Sequence, residues 1–161
     1  MRPATIVTLA IFAAVGSAQA PALKTFASAA DVSAMITKAK SERKPDQANF
    51  VQALLREAPY TANLEYRVQG LNTPPLSHEN EAEFIYVVEG AGTLTTGGKL
   101  RDEKRANAKN LTGTALEGGN ARRIEKGDYI LVPESTPHAF TKVEGTLVIV
   151  SLHVPAGGAA R

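Results

Sequence analysis

Three histidines, His78, His138 and His153, are the residues of this chain best suited to chemistry near neutral pH. Imidazole changes charge between pH 5 and 8 and is also the commonest metal ligand. The chain has no cysteine, which excludes thiolate nucleophiles, disulfides and cysteine-bound metals. Any metal or reacting group must therefore be served by nitrogen and oxygen donors.

Two of the histidines sit in spaced patterns. Gly70 is followed by five residues, then Leu76, Ser77 and His78, four residues, Glu83, six residues and Gly90. Gly127 is followed by five residues, then Pro133, Glu134, Ser135, two residues, His138, three residues and Lys142. In this order, the pair resembles the two motifs of the cupin family over roughly residues 60–154. There are three departures. Leu76 stands where the family has a first histidine, Ser135 where it has a glycine, and Lys142 where it has an asparagine. A second register, with His78 as the first motif histidine and Asn80 as the second, leaves only two residues before Glu83 and is disfavoured.

The resemblance implies an all-β fold, a double-stranded β-helix or jelly-roll barrel. It also implies three metal ligands, His78, Glu83 and His138, for one divalent transition metal: Fe, Mn, Ni or Zn. Two imidazoles and a carboxylate leave coordination positions open for water, oxygen or a chelating substrate. Without metal, the same residues would form a hydrogen-bonded cluster able to act as acid and base. Strand parity places Ile85 and Val87 with Glu83, and Phe140 with His138, as pocket lining. His153 shares parity with Leu147, Ile149 and Ser151. It reads either as a base facing the pocket or as a satisfied histidine near a chain end. Tyr66 is a further candidate lining residue, with core packing as its alternative. Arg67 either binds a substrate carboxylate or forms a surface ion pair.

Positioning such residues requires strands. Residues 60–68 alternate, with Leu64, Tyr66 and Val68 on one face and Asn63, Glu65 and Arg67 on the other. Residues 84–88 are apolar on both faces, as in a strand covered on two sides. Glycines at 90 and 92 predict a turn, with a return strand over 93–96. Residues 99–120 are polar, lack periodicity and read as a long loop with one short strand at 114–116, a candidate lid over the barrel mouth. Strands follow over 122–125, 129–132, 138–143 and 146–154. Ahead of the barrel, Ser28 and Asp31 form a capping pair, and Val32, Met35, Ile36 and Ala39 make one helical stripe. The expected organisation is a signal peptide over 1–20, a lead and helix over 21–48, the barrel over 49–154 and a flexible tail over 155–161.

The N-terminus has a secretory layout. Arg2 precedes an apolar run over 6–15, and small residues follow to Ala20. The run is too short to span a bilayer, so the expected location is periplasmic or secreted, with no stable membrane anchor after cleavage. Apolar residues make up 43% and charged residues 21%, too apolar for a disordered chain. A net charge of +2 gives no footprint for nucleic acid. The expected partners are a small-molecule ligand and a second copy in a homodimer. For function, the expectation is a metal-dependent, dioxygenase-like enzyme on a small organic molecule. The alternatives are a metal-assisted isomerase or lyase on a sugar acid, or a non-catalytic binding protein.

Overall fold

In the computed structural model, which describes residues 23–157, Ser28 opens helix α1 (Ala29–Glu42) with a full capping box. The Asp31 amide donates to Ser28 Oγ at 3.2 Å, and the Ser28 amide donates to Asp31 Oδ2 at 2.7 Å. These bonds satisfy amides that the first helical turn leaves free. The signal peptide expected over 1–20 and the tail residues 158–161 lie outside the described residues. Among the described residues, no helix is long and apolar enough to cross a membrane.

Eleven strands follow: β1 (Asn49–Glu57), β2 (Tyr60–Val68), β3 (Leu76–His78), β4 (Glu81–Thr96), β5 (Lys99–Arg101), β6 (Lys104–Arg105), β7 (Asn110–Thr112), β8 (Ala115–Glu117), β9 (Asn120–Glu125), β10 (Tyr129–Val132) and β11 (His138–Pro155). Every pairing is antiparallel. Strand β11 is the hub and pairs with β2, β3 and β4, while β4 also pairs with β9 and β10. This is the all-β barrel that the family resemblance implies.

The inner face of the barrel holds one apolar cluster, which includes Ile85, Val87, Leu94, Ile124, Val132, Phe140, Leu147 and Ile149. A second cluster lies on the other face, where the α1 stripe packs against Leu64, Tyr66 and Val148. Strands β4 and β11 contribute to both clusters and are therefore covered on both sides, which is why 84–88 reads as a continuous apolar run. Each fully buried Leu, Ile or Val contributes about 1.5–3 kcal/mol. With no disulfide available, this burial is the main stabilising term.

Two expected breaks between strands are bends within one strand instead. Strand β4 runs unbroken through Gly90 and Gly92, and β11 runs unbroken through Gly145. Gly90 has φ +83°, and a Cβ there would stand 1.9 Å from the Thr146 carbonyl oxygen. The glycine lets β4 bend against β11 rather than reverse. The long segment after β4 also differs from the expected loop. It contributes β5–β8, and β7 pairs with β3, so part of it belongs to the barrel wall.

Candidate metal centre

The β4–β11 register grades the barrel interior from polar to apolar. His153 faces Glu83, Ser151 faces Ile85, and Ile149 faces Val87 across successive inward pairs. The polar end opens on a cavity of about 270 Å³, lined by residues that include Glu65, Arg67, His78, Glu83, His138 and His153. Phe140 lines it as well. Ile85 and Val87, expected in the lining, lie instead in the apolar cluster with Phe140. Tyr66 takes its alternative role and packs under α1, because its strand turns Glu65 and Arg67 inward.

Glu83 is the centre of the group. His138 Nε2 lies 3.0 Å and His78 Nε2 3.5 Å from the same oxygen, Glu83 Oε2. The Ser151 hydroxyl donates to the other oxygen, Oε1. All four side chains are buried, so each polar atom needs a partner. The far ring nitrogens are held too. His78 Nδ1 donates to Asn110 Oδ1 at 2.8 Å, and His138 Nδ1 donates to the Thr136 carbonyl at 3.0 Å. Both bonds fix the tautomer, so in the neutral rings both Nε2 lone pairs point at a carboxylate oxygen.

Burial of the His78 ring opposes its charge, but bonds to Glu83 and Asn110 and the charges of Glu83 and Glu81 outweigh that cost and raise its pKa. Burial likewise opposes ionisation of Glu83. The bonds from His138 and His78, the charge of His138 and the Ser151 hydroxyl outweigh it and hold the carboxyl well below its usual range.

His153 lies at the same centre. Its ring meets that of His78 edge-on, with centroids 4.9 Å apart. Donor atoms of His78, Glu83 and His153 all lie within 4.8 Å of one another, a group that could hold a metal ion. His138 stands outside that tight group and joins it through Glu83. Leu76, at the position of the missing motif histidine, also lines the cavity.

Among the described residues, the cavity wall carries one guanidinium. Arg67 is paired with Glu65 at 2.6 Å, bonded to Thr73 Oγ1 at 2.9 Å, and stacked over the Phe140 ring at 4.1 Å. It is not a surface ion pair, because both partners are largely buried.

Sequence reading missed Asn110, Thr136 and Glu81 as supports of the site. Asn110 lay in a segment without periodicity, and only the pairing of β7 with β3 brings it opposite His78. Glu81 lies between His78 and Glu83, so the motif itself was a signal. Its Oε1 is 3.0 Å from His153 Nδ1 and 3.9 Å from His78 Nδ1.

No protein-family model matches the sequence, and no curated protein matches it. Solved structures do. KdgF from Halomonas sp. is 19% identical, with a TM-score of 0.51 over 71% of this chain and 85% of that one. A protein from Bacillus halodurans is 20% identical, with a TM-score of 0.52 over 75% and 77%. HppE, in its iron(II) form, is 19% identical, with a TM-score of 0.51 over 67% and 52%. This chain thus spans about half the length of HppE. The protein has the cupin fold. Its barrel mouth gathers imidazole and carboxylate donors that could hold a metal ion.

Proposed function

We propose that this protein is an exported, metal-dependent cupin enzyme, a dioxygenase-like oxidoreductase acting on a small organic molecule in the cavity beside His78, Glu83 and His138. One observation carries the metal: the Nδ1 bonds to Asn110 and Thr136 turn both Nε2 atoms onto Glu83 Oε2. Lone pairs facing a carboxylate repel unless a cation stands among them, either a proton on a ring or a metal ion. Two imidazoles and a carboxylate suit Fe, Mn, Ni or Zn. A bound ion of this kind supplies Lewis acidity and open positions for oxygen or substrate.

The chain's own residues have separate tasks in this reading. Asn110 and Thr136 orient the rings, and Ser151 fixes the rotamer of Glu83. Arg67, braced by Glu65 and Phe140, faces the anionic end of a carboxylated substrate. Iron(II) in the similar HppE structure favours iron among the candidates. The leader-like residues 1–20 support export to the periplasm or beyond. Exposed Tyr129 and Leu131 support a homodimer.

Elemental analysis of the purified protein, beside His78→Ala, Glu83→Ala and His138→Ala, tests the centre. Near-unit transition metal in the parent and its loss in each variant is the expected result. A parent that takes up no Fe, Mn, Ni or Zn overturns the reading. Oxygen uptake with substrate then supports the oxidoreductase. Turnover without oxygen would point to an isomerase or lyase, and tight binding without turnover to a binding protein.

A further inference from the structure

We propose that His153, on the last strand, is a metal ligand that replaces the histidine lost at position 76, so that the centre holds three imidazoles and one carboxylate. The inference rests on the metal-dependent reading above and deepens it.

The strand registers carry it. Leu76 lies opposite His138 in the β3–β11 pair, so that corner of the site has no second donor. His153 lies opposite Glu83 in the β4–β11 pair, and both side chains reach the same cavity. Directly opposed residues have Cβ atoms about 4.5–5.5 Å apart, close enough for both side chains to reach one ion. The donor has moved from β3 to β11 while still belonging to the tight group with His78 and Glu83.

His153 also follows the arrangement of its two fellows. Its Nδ1 is buried and stands 3.0 Å from Glu81 Oε1, although out of line for a hydrogen bond. Its Nε2 stands 3.2 Å from Ser151 Oγ. Ser151 has a single hydroxyl proton and directs it to Glu83. In neutral His153, then, one ring nitrogen always faces an oxygen with no proton between them. With the proton on Nδ1, toward Glu81, the bare Nε2 faces the Ser151 oxygen that is bonded to Glu83. A carboxylate behind a ring is the usual brace of a metal-bound histidine.

Counting coordinated imidazoles tests this without reference to activity. The metal-free protein is loaded with Co(II), and the paramagnetically shifted, exchangeable imidazole N–H signals are counted by proton NMR. The buried Nδ1 positions keep such protons from rapid exchange. The parent is expected to show three signals, and His153→Ala or His153→Gln two, with Co(II) affinity lowered about tenfold or more. Adding Leu76→His to His153→Ala is expected to restore both affinity and the third signal. A parent that binds Co(II) with two signals, unchanged by either His153 variant, overturns this inference and leaves the metal reading standing. A parent that binds no Co(II) overturns both.

Discussion

Leu76 and His138 are directly paired across the short β3–β11 ladder. The side chain facing the histidine of the second motif is therefore an aliphatic one, in the lining of the polar cavity. Replacing it with histidine places a donor where the wall now has none. Leu76→His in the otherwise native chain is expected to raise transition-metal affinity about tenfold or more, which needs only about 1.4 kcal/mol. Isothermal titration of Zn(II) into metal-free protein measures it. Unchanged or weaker binding would show that position 76 does not look onto the ion.

Asn110 braces His78 from a strand 32 residues away in sequence. Asn110→Ala removes the acceptor that fixes the ring's tautomer and leaves Nδ1 without it. Metal affinity is expected to fall about 10–100-fold, the usual effect of losing such a support. Competition against a chelator of known affinity checks this. An effect below twofold would mean that the bond does not orient the ring.

The metal-free protein has opposing pH limits. His78 is raised above its ordinary 6.5, so its contribution to stability is complete below that value and is lost as pH rises through the raised one. Glu83 is held well below 4.5, so its contribution is present above that value and is lost as pH falls through the depressed one. Stability of the chelated protein is thus expected to be greatest between these two ordinary values and to decline toward pH 8. Metal binding needs neutral rings, so the extra stability conferred by metal grows with pH instead. Urea unfolding at several pH values, with EDTA and with saturating Zn(II), separates the two trends. A chelated protein that gains stability from pH 6 to 8 contradicts the assignment.

Ser135 occupies the motif's glycine position with φ +55°. An L-residue there costs about 1–2 kcal/mol, partly offset by glycine's greater freedom when unfolded. The turn is tied to the site, since the Ser135 amide donates to the His78 carbonyl at 2.6 Å. Ser135→Gly is expected to stabilise the protein by up to about 1 kcal/mol. Ser135→Val is expected to destabilise it by about 1 kcal/mol or more. Chemical denaturation midpoints decide between this order and its reverse, which would remove strain as the explanation.

Among the described residues, strand β10 pairs only with β4, and it carries an exposed aromatic patch. Tyr129 is 69% and Leu131 62% exposed, and Tyr129 stacks near Tyr86 and Phe84 at 4.7 and 5.9 Å. A second copy would cover this face. Light scattering after size exclusion is expected to give a dimer, and Tyr129→Glu with Leu131→Glu a monomer of unchanged circular dichroism. A monomeric parent at high micromolar concentration would rule the dimer out.

Local rules made much of this protein legible before its structure. The capping pair Ser28–Asp31, the α1 stripe and the alternation over β2 follow from periods of 3.6 and 2, which neighbouring residues alone impose. The spacing around His78, Glu83 and His138 could be read because each motif lies within one short stretch of chain. Glycine was less informative, since Gly90 and Gly145 permit a bend as readily as a turn, and only the β4–β11 pairing selects the bend. Pairing between remote strands leaves no local trace either. That is why Asn110 behind His78, Tyr66 facing α1 rather than the cavity, and His153 opposite Glu83 were decided by the tertiary structure. Which side of a strand becomes the inside, and which distant residue stands across from it, depends on how the whole sheet closes.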